Sequence, residues 1–259
     1  MSRKPEDLPV GIALRCFGLK HPVQRFNRTA AGMGTTMLLL SAIGLVVPAV
    51  FHYIARGREP DLKLDTEIAI VLLITYGISL IFTLKTHRSL YGITAEGHKE
   101  TTQEQALTTK RAVLLLLGAT AAVALVSELM VGALTETATA LGISQLFMGV
   151  IVVALVGNAA EHYSAIVLAA RNEMDAAISI AVGSSTQIAL FVAPVLLLLS
   201  YVIADHPMNL LFSVFELVAI GVSVLSISFI SHDGETNWME GVQLLAVYLI
   251  LALGFYFLP

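Results

Sequence analysis

Charged residues and cysteines are scarce in this sequence. Lys, Arg, Asp and Glu make up 13% of the 259 residues, whereas soluble domains contain about 25%. A single cysteine, Cys16, excludes a disulfide framework within the chain and a cysteine-based metal cluster. The net charge is -4, so the chain lacks the excess of basic residues that is typical of nucleic-acid-binding proteins. The first 28 residues also lack the apolar core and cleavage site of a secretory signal peptide.

Apolar residues dominate the chain instead. They form 56% of the sequence, and the mean hydropathy is +0.81. A transmembrane helix needs roughly 20 mostly apolar residues. The sequence therefore predicts an all-α, polytopic membrane helix bundle with seven spans, at about residues 31–55, 66–86, 110–133, 143–170, 175–203, 209–231 and 237–258.

Basic residues predict the orientation of these spans, because Lys and Arg favour the cytoplasmic side. Of the 15 Lys and Arg residues, Arg56, Arg58 and Lys63 follow the first span, and all the others lie in or beside intervals on the opposite side. We therefore expect residues 1–30 and the linker at 87–109 to be cytoplasmic, and the C-terminus to lie across the membrane. The linker is either solvated chain or a surface helix.

Carboxylates inside the apolar spans are the first functional signal. Glu128, Glu161, Glu216 and Glu240 lie within or at the edge of predicted spans, and no Lys or Arg lies deep in any span. A charge at the bilayer centre costs at least ~3 kcal/mol, so an unpaired carboxylate there is protonated, hydrated or bound to a cation. Glu128 and Glu216 are candidates for a peripheral ion or proton path, or are satisfied by local hydrogen bonds. Glu240 is expected to be interfacial.

Of these carboxylates, Glu161 has the most polar sequence neighbours, in the run GNAAEH at 157–162. Asn158 lies three residues before Glu161 and would share its face on a continuous helix. Gly157 permits an irregular backbone, whose freed carbonyl oxygens in a membrane line a cavity or bind an ion. The alternative is a carboxylate satisfied by neighbouring helices. His162 is either a proton-sensitive neighbour of Glu161 or a packing residue.

A second polar cluster, GSSTQ at 183–187, lies in the fifth predicted span. By themselves, its small hydroxyl residues indicate close helix packing. Beside the carboxylate of Glu161, Ser184, Ser185 and Gln187 become candidates for a second wall of a cation site. Ca²⁺ takes six to eight oxygen ligands, so these side chains supply the right atoms but too few for a complete cage.

The motifs together resemble a known family. The runs GNAAEH at 157–162, GSSTQIALFVAP at 183–194 and DGETNWMEG at 233–241 are similar, in this order, to the C-terminal repeat of the calcium/proton antiporters. QRFN at 24–27 and KTH at 85–87 resemble segments just before that repeat. The similarity extends from about residue 20 over nearly the whole chain.

The resemblance implies two inverted five-helix repeats, each with a GNxxEH-type element, around a central cation site. It implies that Ca²⁺, or Mn²⁺ or another divalent cation, is exchanged for H⁺, with no permanently bound cofactor. The residues assigned to cation binding are Asn158, Glu161, Gly157, Ser184, Ser185 and Gln187, of which Glu161 and Asn158 are the expected metal ligands. The residues assigned to a proton path or to peripheral acids are His162, Glu128 and Glu216.

The sequence contains one GNxxEH element. Residues 31–86 resemble the end of a first repeat and residues 110–259 a second repeat, which makes one five-helix repeat plus two preceding helices. We therefore expect a half-transporter in the lipid membrane that needs a second half-transporter or forms a homo-oligomer. The alternative is a truncated, transport-inactive or accessory membrane protein. No enzyme activity and no nucleic-acid partner are expected.

Overall fold

A computed structural model describes residues 21–55, 62–87 and 108–258. These residues form long helices joined by short loops. In chain order the helices are α1 (Arg28–Ile54), α2 (Leu62–Ile81), α3 (Thr109–Leu141), α4 (Gln145–Gly157), α5 (Ala159–Ala170), α6 (Met174–Ile203), α7 (Val214–Ile230) and α8 (Trp238–Phe257). Cys16 and most of the predicted segments 1–30 and 87–109 lie outside the described residues.

Helices occupy each of the seven predicted spans. The helices long and apolar enough to cross a membrane are Arg28–Ile54, Lys63–Thr86, Thr109–Leu141, Met174–Ile203 and Trp238–Phe257. Helices α4 and α5 pass the same test only as one interrupted span, and α7 is apolar but has 17 residues. The predicted polytopic helix bundle is confirmed, and the described residues contain five candidate spans, or six if α4 and α5 count as one.

Exposed leucines on α3 show why this chain needs a membrane. Leu114, Leu115, Leu116 and Leu117 are consecutive, so they point to every side of the helix, and each exposes at least 60% of its surface. Contiguous apolar surface of this kind is rare on soluble monomers. Lipid is the solvent in which such a surface is stable.

The chain divides into two compact units. Of the described residues, the first comprises 21–55, 62–87 and 160–248, and the second comprises 108–159 and 249–258. In the second unit, Gly142 caps the C-terminus of α3, and its φ of 66° is the left-handed conformation that glycine adopts readily. The rings of Phe147 and Tyr256 then pack edge to face at 5.5 Å.

In the first unit, glycines allow α1 to approach two other helices closely. A Cβ atom added to Gly44 would lie 2.6 Å from a methyl carbon of Leu72 on α2. A Cβ added to Gly34 would lie 3.1 Å from Val182 on α6. Small residues are favoured at such contacts because membrane helices associate largely through van der Waals packing. These contacts hold α2 and α6 against α1.

A buried polar contact joins the end of α1 to the start of α2. Nε2 of His52 lies 3.0 Å from Oδ1 of Asp65, and the two side chains are 5% and 0% exposed. Oδ2 of Asp65 also accepts a hydrogen bond from the backbone N–H of Leu210 at 3.1 Å. Asp65 therefore links α1, α2 and the loop before α7.

A short β-ribbon departs from the predicted all-α fold. Strand β1 (Val23–Arg25) pairs antiparallel with β2 (Glu235–Asn237), with Gln24 opposite Thr236. Gly234 precedes β2 with a φ of 82°, and a Cβ there would approach Cβ of Arg28 to 3.0 Å. Strands of three residues are too short to give an alternating pattern. The ribbon brings together two runs, at 24–27 and 233–241, that carry the family resemblance.

Candidate cation-transport site

The GNAAEH run contains a break between two helices. Helix α4 ends at Gly157, and Asn158 has non-helical angles, with φ -97° and ψ 14°. The side-chain N–H of Asn158 donates to the carbonyl of Ala154 at 3.0 Å. The irregular backbone expected beside Gly157 is therefore present. The shared face predicted for Asn158 and Glu161 assumed one continuous helix, and the helix is interrupted at Asn158.

The break also separates these residues between the two units. Gly157 and Asn158 belong to the second unit, and Glu161 belongs to the first. Within α5, Glu161 lies in the first turn and is half-buried. His162 beside it is exposed. The roles predicted for Gly157, Asn158 and His162 stay predictions.

Glu161 lines a cavity of about 670 Å³ within the first unit. Helices α1, α2 and α6 supply the other walls of this cavity. The lining residues from α1 are apolar, and include Met33, Gly34 and Met37. A carboxylate thus faces a space large enough for water and a cation.

Helix α6 brings the second predicted cluster to the same cavity. Ser184 and Gln187 line it, together with Gly183 and Thr186. Ser185 is not among the lining residues; it is exposed, and its hydroxyl donates to the carbonyl of Ala181 at 3.1 Å. The structure therefore places Glu161, Ser184 and Gln187 around one space and leaves Ser185 outside it.

The hydroxyl groups of this wall act as hydrogen-bond donors to the helix backbone. Ser184 donates to Ala181 at 3.4 Å, and Thr186 donates to Val182 at 2.8 Å. A hydroxyl oxygen has one proton and two acceptor lone pairs. Because the hydroxyl proton is donated to a backbone carbonyl, the oxygen lone pairs are left to accept a hydrogen bond or to coordinate a hard cation.

Helix α2 supplies a polar wall that the sequence analysis missed. Thr75 and Ser79 line the cavity, and so does Thr83 in the π-helical turn Phe82–Thr86 that follows α2. The hydroxyls of Thr75 and Ser79 donate to backbone carbonyls, at 2.8 Å and 2.7 Å. The sequence does contain a signal for this wall: Thr75, Ser79 and Thr83 are four residues apart, which places their hydroxyls on one face of a helix.

A second carboxylate on the cavity wall, Asp175, was also missed. It lies in the first turn of α6 and is exposed. Its Oδ1 accepts a hydrogen bond from the backbone N–H of Asn27, and Asn27 also lines the cavity. Asp175 lies at the edge of the predicted span, where an acidic residue is ordinary and gives no signal of a cavity position.

The other predicted acidic residues are not among the described residues that line the cavity. Glu128 is exposed on α3, in the second unit. Glu216 forms a capping box at the start of α7: its Oε2 accepts from the N–H of Ser213 at 2.7 Å, and its own N–H donates to the Ser213 hydroxyl at 3.2 Å. For Glu216, local hydrogen bonds were the alternative to a place on an ion or proton path, and the structure contains such bonds. Glu240 similarly accepts from the side chain of Asn237 at 3.0 Å.

Comparison with known proteins identifies the family. A model described as sodium/calcium exchanger protein matches residues 111–257. The chain belongs to the sodium/calcium exchanger family. One relative, the Ca²⁺/H⁺ antiporter ChaA of Bacillus subtilis (strain 168), is 42% identical over 252 residues, which are 97% of this chain and 71% of that protein.

Two further exchanger relatives support this membership. The vacuolar calcium ion transporter of Schizosaccharomyces pombe is 37% identical over 256 residues, which cover 97% of this chain and 62% of the relative. A crystal structure of the selenium-substituted Ca²⁺/H⁺ antiporter protein YfkE matches with a TM-score of 0.75 and 39% identity, over 95% of this chain and 72% of that one. The resemblance to calcium/proton antiporters and the multi-pass membrane fold are thus confirmed, and the named relatives are transporters rather than enzymes.

Proposed function

We propose that this chain exchanges Ca²⁺ for H⁺ across a membrane. The observation that carries the proposal is the half-buried carboxylate of Glu161 on the wall of a cavity that Ser184 and Gln187 also line. Relatives covering nearly the whole chain bear the name Ca²⁺/H⁺ antiporter, which supports the same reaction here.

In the proposed mechanism, Glu161 alternates between a cation and a proton. The ionised carboxylate binds Ca²⁺, and the hydroxyl oxygen of Ser184 and the amide oxygen of Gln187 complete part of the coordination shell. Protonation removes the negative charge and releases the cation. In the low dielectric of the membrane, an ionised carboxylate without a cation is costly. Glu161 therefore carries either a cation or a proton.

Oxygen ligands favour a hard cation, which supports Ca²⁺ as the substrate. The cavity lining in the described chain includes two carboxylates, Glu161 and Asp175. No three His, Cys, Asp or Glu side chains of residues 21–55, 62–87 and 108–258 form a metal-binding group. Glu161, with the oxygens of Ser184 and Gln187, would supply part of a calcium shell.

We further propose that a second acidic element, supplied from outside these 259 residues, completes the site. One GNxxEH element occurs in the sequence, and the chain spans 71% of the length of its Bacillus subtilis relative. A second copy of this chain is the less favoured source. Inverted repeats need opposite orientations, whereas the Lys and Arg distribution favours one.

The orientation is part of the proposal. With residues before α1 in the cytoplasm, the basic residues between α2 and α3 are cytoplasmic too. The C-terminal end of α8 then lies on the opposite side. This arrangement places the start of α6, near Arg171, at the cytoplasmic surface.

The test is Ca²⁺ uptake driven by a pH gradient in membrane vesicles. We expect the chain, co-expressed with the part of the Bacillus subtilis relative that it does not cover, to exchange Ca²⁺ for H⁺. Glu161→Gln should reduce exchange to the level of empty vesicles. Glu173→Gln, which removes an exposed carboxylate that does not line the cavity, is the matched control and should leave exchange unchanged.

Three outcomes would contradict these proposals separately. Equal exchange by the wild-type chain and Glu161→Gln would refute the role of Glu161. Full exchange by purified monomers of the 259-residue chain alone would refute the need for a second acidic element. Absence of exchange in every combination, with the proteins folded, would favour a transport-inactive protein.

A further inference from the structure

One face of α6 is polar along half of the helix. Asp175, Ser179, Gly183 and Gln187 are spaced by four residues, and all four line the cavity. Residues at this spacing lie on one side of a helix. At 1.5 Å per residue, the face extends about 18 Å, which is more than half the hydrocarbon thickness of a bilayer.

Asp175 lies at the start of α6 and is exposed, as are Ser179, Gly183 and Gln187 farther along the same face. Phe26 and Asn27 line the cavity beside Asp175. Several contacts hold this end together. Asp175 accepts the backbone N–H of Asn27, and the side-chain N–H of Gln24 donates to the carbonyl of Ala169 at the end of α5 at 2.7 Å.

We propose that this face of α6 is the path by which cations reach Glu161, and that Asp175 selects cations at its entrance. The inference rests on the proposed function, because it assigns an access route to the same cavity. A carboxylate at the mouth of a cleft with low-dielectric walls raises the local cation concentration and excludes anions. Ser179 then offers an oxygen between Asp175 and Gln187.

A purely structural role for Asp175 makes different predictions. If Asp175 serves only to hold Asn27, its replacement should reduce folding or the maximal transport rate. As an entrance residue, it should instead affect how fast cations enter the cavity and how that rate depends on salt. Asp175→Asn keeps the side-chain oxygen that can accept from Asn27 and removes the charge, so it separates the two roles.

The decisive experiment measures access without requiring transport. Ser179→Cys is introduced into the full chain with Cys16→Ser, so that the new thiol is the single cysteine. The thiol is then labelled in membrane vesicles by membrane-impermeant methanethiosulfonates, one cationic and one anionic. We expect labelling from the side on which Asn27 lies, with a cation-over-anion rate ratio that falls on the order of tenfold in Asp175→Asn.

Two controls make the result specific. Glu173→Gln removes a carboxylate two residues away that does not line the cavity and should leave the ratio unchanged. Ser223→Cys, an exposed serine on α7 outside the cavity lining, should label slowly and without charge preference.

Three outcomes would overturn the path. They are an unreactive Ser179→Cys, labelling with no charge preference, and an equal loss of preference in Asp175→Asn and Glu173→Gln. In vesicles that transport, Asp175→Asn should raise the KM for Ca²⁺ while retaining the maximal rate. Because labelling does not depend on Glu161, failure of this path is distinguishable from failure of the proposed exchange reaction.

Discussion

Asp65 illustrates how much a single residue contributes in this fold. Its carboxylate is fully buried and contacts both His52 and the backbone of Leu210. Asp65→Ala should lower stability by about 3–5 kcal/mol, because it leaves a buried imidazole and a buried N–H without their partner. Thermal unfolding in detergent measures the change.

The matched control for Asp65 is Glu67→Ala on the same helix. Glu67 is exposed, so its replacement should change stability by less than about 0.5 kcal/mol. Equal melting temperatures for the two variants would show that the buried contact does not stabilise the protein.

Sequence reasoning identified some of these residues and not others. Glu161 was predicted to bind a cation because an unpaired carboxylate within an apolar span must be protonated, hydrated or bound to a cation. Asp65 and Asp175 lie just outside or at the edge of predicted spans, where an acidic residue is ordinary. The burial of Asp65 and the cavity position of Asp175 depend on which distant segment contacts each of them. For Asp65 this is the loop at Leu210, and for Asp175 it is Asn27, more than 140 residues away along the chain in each case.

At the scale of elements, the close contact of α1 with α2 depends on Gly44. Gly44→Ala should destabilise the protein by about 1–3 kcal/mol, since the added methyl group would meet Leu72 at 2.6 Å. Gly32→Ala on the same helix is the control, because a Cβ there has no atom within 4 Å. Thermal stability measured in detergent should fall only for Gly44→Ala, and a parallel response of both variants would contradict the packing argument.

The positions of the helices followed from the sequence, but their irregularities did not. The apolar runs predicted all seven helical regions, because length and hydropathy decide what crosses a bilayer. The ribbon of β1 and β2 was missed, since each strand has three residues and they pair across most of the chain. The π-helical turn Ile188–Val192, directly after Gln187, has no sequence signal either.

At the scale of the whole molecule, the orientation of the spans is open to a direct test. A fluorescent protein fused after His87 should fluoresce in a bacterial host, because that end of α2 is expected in the cytoplasm. Alkaline phosphatase fused after Ile54 or after Phe257 should be active, since both positions are expected on the other side. Activity of phosphatase at His87 instead would reverse the assignment.

The sequence by itself determined that this protein is a multi-pass helical membrane protein, and it predicted Glu161 as the carboxylate of a cation site. Both conclusions rest on local physical chemistry: the length of apolar runs and the cost of a charge in hydrocarbon. Only the tertiary structure decided which oxygens share a cavity with Glu161. It brought in Ser184, Gln187, Ser79 and Asp175 and left Ser185 outside, because helix packing selects which face of each helix borders that space.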